Sequence, residues 1–167
     1  ADSGGDDILY GGAGDDTIDG QGGDDEIFGG SGVDYIDGGS GGDVIYGGSG
    51  DDVIIGGEGN DQLYGGSGDD EFIFSLGDGD DTVFDFDNGD VLTFDGIDLN
   101  DGDSVQFEAD GDDVVVTVIG NNDEQSKVTL KDAAKDMDDA DRANVGDGYS
   151  VTDTGDGSIN IVVDTVG

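Results

Sequence analysis

The chain has no cysteine, no histidine and no tryptophan, and its four basic residues stand against 44 acidic ones. Each shortage closes off chemistry. Without cysteine there are no disulfides and no thiolate nucleophile or ligand; that also fits an extracellular protein held together by ions. Without histidine, a Ser-His-Asp triad, a Cys-His pair and a histidine-ligated zinc are excluded within this chain. No lysine follows a glycine-rich turn, so there is no phosphate loop, and the Gly-Ser-Gly triplets lie outside any nucleophile-elbow context. Among so many acids, two carboxylates at the spacing for glycoside hydrolysis carry no information. The chain therefore reads as non-enzymatic, or as the non-catalytic C-terminal part of a secreted enzyme. With no basic patch, nucleic acid is not expected as a partner. No apolar run is long enough to span a membrane. The opening ADSGG has neither methionine nor a signal-peptide pattern and is expected to begin a piece of something longer.

Apolar content is low as well, 32%, and the net charge is −40. Self-repulsion of that size opposes compaction, and such compositions lie where chains stay disordered. A folded state needs something beyond its own core.

What is present is glycine and aspartate in strict order. A nine-residue unit starts at Asp2 and recurs from Gly11, Gly20, Gly29, Gly38, Gly47, Gly56 and Gly65 through Ile73. Its fourth column is always glycine: Gly5, Gly14, Gly23, Gly32, Gly41, Gly50, Gly59, Gly68. Its sixth is always aspartate: Asp7, Asp16, Asp25, Asp34, Asp43, Asp52, Asp61, Asp70. Its eighth is always apolar: Leu9, Ile18, Ile27, Ile36, Ile45, Ile54, Leu63, Phe72.

This pattern, G-G-x-G-x-D-x-U-x with U a large apolar residue, resembles the repeat-in-toxin (RTX) calcium-binding nonapeptide family. Asp2, Ser3 and Gln21 depart from its glycine columns. The resemblance implies an all-β protein, a right-handed parallel β-roll with two nonapeptides per coil. It also implies Ca2+ between stacked turns, with each interior aspartate serving two ions.

The residues read alone point the same way. Glycine tolerates φ > 0 and aspartate bonds its nearby backbone, so six residues of the unit make a turn. The remaining x-U-x makes a short strand with U inward. Units 18 residues apart stack at about 4.8 Å, which sets the aspartates of successive coils face to face. Such carboxylates repel unless something lies between them. Carboxylate oxygens with glycine carbonyls form an all-oxygen environment for a hard cation of six to eight ligands, and calcium suits its flexible geometry better than magnesium. The pairs Asp7/Asp25, Asp25/Asp43 and Asp43/Asp61 line one side, and Asp16/Asp34, Asp34/Asp52 and Asp52/Asp70 the other. Gly12, Gly14, Gly23, Gly30, Gly32, Gly39, Gly41, Gly48, Gly50, Gly57, Gly59, Gly66 and Gly68 are the candidate carbonyl donors. About six to eight calcium sites are expected.

The units also carry a second column. Tyr10, Phe28, Tyr46 and Tyr64 recur every 18 residues and predict an aromatic ladder on one outer sheet, opposite Asp19, Asp37, Ile55 and Ile73. Past Phe74, FSLGDGDDTVF (74–84) reads as a ninth unit with a two-residue insertion. Asp81 takes the ligand column, Val83 the inward column, and Phe84 extends the ladder. Asp90 and Leu92 repeat the relation, so Asp61/Asp81 and Asp70/Asp90 are further candidate pairs. GDGDDTVFDF resembles the segment that commonly closes an RTX array. The expected domains are a roll over 1–93 (regular repeats 2–73, degenerate capping repeats 74–93) and a small, mostly antiparallel β cap over 94–167. Strands are expected at Ser104–Glu108, Val114–Ile119 and Lys127–Leu130, a short helix over 131–144, and a hairpin over 149–163. The Asp-rich run Asp136–Asp141 lacks the pattern of a helix-loop-helix calcium loop and reads as solvated surface.

By resemblance, the expected role is a calcium-binding module exported unfolded through type I secretion machinery, which folds in extracellular calcium and stays secreted or at the cell surface. The tail IVVDTVG is loosely compatible with a type I signal. The alternative is an adhesive module that binds polysaccharide, a cell surface or a protein partner and uses the roll as scaffold.

Overall fold

A computed structural model of the chain describes residues 4–87, 89–97, 102–121, 124–133, 149–153 and 158–163. Ten strands follow the repeat: β1 (Ile8–Ala13), β2 (Thr17–Asp19), β3 (Glu26–Ser31), β4 (Tyr35–Ser40), β5 (Val44–Ser49), β6 (Val53–Glu58), β7 (Gln62–Ser67), β8 (Glu71–Ser75), β9 (Asp80–Val83) and β10 (Val91–Asp95). Odd strands stack in parallel in one sheet and even strands in the other. The register is 18 residues, as in Ile27↔Ile45 and Ile36↔Ile54. This is a parallel β-solenoid of two units per coil.

Most strands run longer than the expected x-U-x. Six-residue strands such as Val44–Ser49 take in the first three turn residues, and Gly48 pairs with Gly30 and Gly66. The glycines thus do two jobs, extending the ladder before they bend it. Gly47 and Gly48 show how. Gly48 has φ 120°, and an added Cβ would strike the carbonyl oxygen of Gly30, so an L side chain is barred twice over. Gly47 has an ordinary φ, yet its Cβ would lie 2.6 Å from Asp52 Oδ2 and 2.7 Å from the Gly65 carbonyl oxygen. Gln21, which stands in for a second-column glycine, is held at φ 74°.

Between the sheets lies one thin row of apolar side chains. Ile27, Ile36, Ile45, Ile54, Leu63 and Phe72 are fully buried, while Leu9 and Ile18 at the first coil are partly exposed. The row continues through Val83 and Leu92, both fully buried. The insertion before β9 falls in a turn, where Asp78 Oδ2 accepts from the Ser75 N–H (2.6 Å). Strand stacking survives it, with Leu63 opposite Val83 and Phe72 opposite Leu92.

Both sheets are continued by antiparallel strands. In the first, β13 (Gln125–Leu130) lies parallel to β9 and is followed outward by β12 (Asp113–Ile119) and β11 (Ser104–Asp110). In the second, the hairpin β14 (Tyr149–Asp153) and β15 (Ser158–Val163) docks on β10 through β15. Phe94, Ile97, Val114, Val116, Val118, Val128, Leu130, Ile159 and Ile161 are buried in the same core as the roll residues. The expected helix over 131–144 begins as a turn at 131–133, and its remainder lies outside the described residues, as does the run Asp136–Asp141.

Candidate metal centre

The sixth-column aspartates form two rows of buried carboxylates, one along each line of turns. Asp25, Asp34, Asp43, Asp52, Asp61, Asp70, Asp81 and Asp90 each expose 3% or less of their surface. Burying so many acids requires partners, and the backbone supplies half of them. One oxygen of each, Oδ1, accepts the backbone N–H of the aspartate one coil earlier: Asp25 from Asp7 (2.7 Å), Asp43 from Asp25 (2.7 Å), Asp61 from Asp43 (2.8 Å) and Asp81 from Asp61 (3.0 Å). In the second row Asp34 accepts from Asp16 (2.8 Å), Asp52 from Asp34 (2.9 Å), Asp70 from Asp52 (2.9 Å) and Asp90 from Asp70 (3.0 Å). The structure therefore brings Asp81 and Asp90 into the two rows, across a 20-residue step.

In most of them the other oxygen is left over. Oδ2 of Asp16, Asp25, Asp34, Asp43, Asp52, Asp61 and Asp81 is buried and has no hydrogen-bond partner. A buried, unsatisfied charged acceptor costs more than the ~1–3 kcal/mol of a neutral one. Burial accordingly pushes Asp61 and Asp81 up to about 7, and Asp43, Asp70 and Asp90 up to about 6. In each case the donated N–H opposes the shift, and the carboxylate of the preceding coil adds to it.

Glycine carbonyls meet these oxygens. The site of the missing Gly29 Cβ is 2.6 Å from both Asp34 Oδ2 and the Gly47 carbonyl oxygen. At Gly11 the neighbours are the Gly29 carbonyl oxygen (2.6 Å) and Asp16 Oδ2 (2.9 Å). Among the described residues no three acidic side chains converge as a metal cluster. That agrees with a donor set of carboxylates completed by backbone carbonyls. All-oxygen donors, an orphaned anionic oxygen in most of the turns and a space a Cβ would fill suit calcium, a hard ion that accepts irregular geometry and backbone ligands.

The candidate carbonyl donors Gly12, Gly14, Gly23, Gly30, Gly32, Gly39, Gly41, Gly48, Gly50, Gly57, Gly59, Gly66 and Gly68 all sit in these turns, with φ between 99° and 149°. Sequence reasoning missed the first-column carbonyls of Gly29, Gly38, Gly47, Gly56 and Gly65, which approach the turn of the preceding coil. A second, outer row was missed too. At the fifth column Asp6, Asp15, Asp24, Asp51 and Asn60 accept the N–H of Asp24, Val33, Gly42, Asp69 and Asp80, all within 2.9–3.0 Å. These bonds point the other way along the stack, from the later coil to the earlier.

The aromatic ladder forms as expected. Tyr10, Phe28, Tyr46, Tyr64 and Phe84 stack with centroids 4.6–5.0 Å apart.

Fold and donor set together define a β-roll built around cation-accepting turns. Residues 2–36 and 37–72 match the RTX calcium-binding nonapeptide repeat (4 copies). Residues 2–72 thus carry the calcium-binding nonapeptide repeat that this model describes. Among solved structures, the chain is similar in fold to the solution structure of the AlgE6R3 subunit from the Azotobacter vinelandii mannuronan C5-epimerase. The TM-score is 0.51 at 23% identity, covering 100% of this chain and 89% of that one. No curated protein matches the chain.

Proposed function

We propose that the module is a calcium-driven folding switch within a larger secreted protein. Residues 94–167 cap a roll over 1–93, and the repeat aspartates with their turn glycines hold the ions. The chain carries no catalysis of its own. The observation that carries this reading is the double row of buried Oδ2 atoms without partners. At a net charge of −40, these oxygens oppose the metal-free fold and reward the loaded one. Ions that bind the folded state alone shift the equilibrium by mass action. Sites of the extracellular class, with dissociation constants of about 10⁻⁴–10⁻³ M, stay empty in the cytosol. The chain then remains extended for type I export and folds outside.

The test is far-ultraviolet circular dichroism during a calcium titration, with magnesium at equal ionic strength as control. A steep coil-to-β transition with calcium alone is expected. A spectrum already β-rich in chelator at neutral pH would sink the proposal.

A second reading, attachment to a polysaccharide or cell surface, draws on the continuous aromatic stripe. Stacking spends the ring faces on one another, so ring edges would make the contact. Tyr46→Ser with Tyr64→Ser should then abolish attachment while calcium-induced folding persists.

A further inference from the structure

The two carboxylate rows end differently, although the repeat treats them alike. In the row that ends at Asp81, Oδ1 takes the Asp61 N–H and Oδ2 is buried without a partner. The strand that covers this end leaves that oxygen alone. Ser126 spends its hydroxyl on the Ser75 carbonyl (2.6 Å) and accepts the Gly77 N–H (2.9 Å). In the row that ends at Asp90, Oδ1 takes the Asp70 N–H (3.0 Å) and Oδ2 takes the Asp87 N–H (2.8 Å). The reverse bond, from the Asp90 N–H to the Asp87 carbonyl (3.2 Å), closes the same short turn. Beside it Asp85, at the place of the next unit's first glycine, accepts the N–H groups of Gly65 (2.9 Å) and Gly66 (3.0 Å) with its two oxygens. A carboxylate oxygen that accepts an N–H has committed a lone pair and had part of its charge offset, so it draws a cation less than an orphaned one such as Asp81 Oδ2.

We infer that the Asp90 row is closed by the chain's own N–H groups. The Asp70/Asp90 step holds no calcium, while the Asp61/Asp81 step holds one. Asp90 is then a positioning residue that terminates the stack, and Asp81 is the last ligand. The array is asymmetric, with one row an ion longer than the other at the capped end. This rests on the calcium reading above and deepens it.

The experiment counts bound calcium per chain, by native mass spectrometry and equilibrium dialysis, for the wild-type chain, Asp81→Asn and Asp90→Asn. The amide swap keeps an oxygen for the N–H of the preceding coil and removes the anionic oxygen. Asp81→Asn should lose one ion. Asp90→Asn should keep the full count, with a lowered melting temperature because an amide NH2 would confront the Asp87 N–H. Loss of an ion from Asp90→Asn overturns the inference and leaves the calcium reading standing, whereas no uptake by the wild-type chain overturns both. Should Asp90→Asn fail to fold, amide exchange in the calcium-loaded wild-type chain decides. A protected Asp87 N–H supports closure, and exchange at the rate of an open loop overturns it.

Discussion

Gly42→Asn should stabilise the calcium-loaded roll. In the outer row on that side, Asp24 donates its N–H to Asp6, Gly42 donates to Asp24 and Asp80 donates to Asn60. One rung is missing: Gly42 has no side chain to receive the Asn60 N–H. Gly42 is also free of the constraints on its neighbours. Its φ lies outside the left-handed region, and an added Cβ would sit 3.5 Å from the Asn60 carbonyl oxygen and 3.8 Å from Asp24 Oδ1, both ordinary contacts. Asn60 demonstrates that an amide oxygen can fill this role without adding charge. The new hydrogen bond contributes about 0.5–1.5 kcal/mol, toward the lower end because the Asn60 site is exposed. Restricting the unfolded chain by replacing glycine adds about 0.4–1 kcal/mol. Gly42→Ala captures the second part alone. Denaturant unfolding in saturating calcium should therefore rank Gly42→Asn above Gly42→Ala, and both above wild type. Gly41→Ala, one residue away, should fall well below, since its φ is 133° and its Cβ would strike the Gly23 carbonyl oxygen. Equal stabilities for Gly42→Asn and Gly42→Ala would refute the rung.

Gly47→Ala should weaken calcium binding and cost about 1–3 kcal/mol as an overpacked site, because its Cβ must displace Asp52 Oδ2 or the Gly65 carbonyl; a calorimetric calcium titration checks it. Leu63→Ala removes a fully buried side chain from a one-residue-thick core, for an expected loss of about 2–5 kcal/mol in calcium-saturated unfolding. The pH dependence runs opposite to that of an ordinary acidic protein. Asp61 and Asp81 titrate near 7, and Asp43, Asp70 and Asp90 near 6, all above the unfolded 3.8. Their contribution to the metal-free roll is fully present below pH 3.8 and is lost as pH rises through 6 to 7. In chelator, circular dichroism should show more β structure at pH 4–5 than at pH 8. With calcium present, the midpoint concentration should rise as pH falls below about 7, because protons compete for the same oxygens.

The repeat made the roll legible because three columns fixed three independent things: the turn, the inward side chain and the carboxylate. Even the irregular ninth unit could be placed. Asp81, Val83 and Phe84 keep their spacing from one another, and the insertion falls between Ser75 and Asp78, where turn length is free to change. The antiparallel strands near 104–130 and 149–163 were readable by alternation. What alternation could not reveal was their attachment. β13 continues the odd-strand sheet and β15 the even-strand sheet, a choice made by which edge each can cover. The first-column carbonyls were hidden for a related reason. Gly29 looks like another flexible turn residue, and only the folded, stacked turn shows that its hydrogen atom makes room for Asp34 Oδ2 and the Gly47 carbonyl of the next coil.

The two rows of side-chain bonds explain why such a chain should switch rather than drift. Inner carboxylates accept from the coil before them, and outer ones accept from the coil after. Each junction is therefore held from both sides, and Oδ1 of an inner aspartate is fixed by a backbone N–H rather than by its own rotamer. That N–H belongs to the preceding aspartate in the row, so ordering one turn positions the Oδ2 of the turn that follows. An isolated turn gains little: it must order glycine-rich backbone, at about 1–2 kcal/mol per residue, and bury an anion for part of a donor set. Adding a turn to the C-terminal end of an existing stack brings one more anion but finds the donor N–H in place, and its own first-column carbonyl meets the Oδ2 of the turn before it. The early steps are thus the unfavourable ones and the later ones repay them, as expected for a nearest-neighbour solenoid. The aromatic stripe reinforces this, because each ring gains a stacking partner only when its coil is added. Cooperativity in calcium follows from the geometry of the stack, without any long-range conformational change, and a variant that breaks a central junction should broaden the transition more than one that breaks the first.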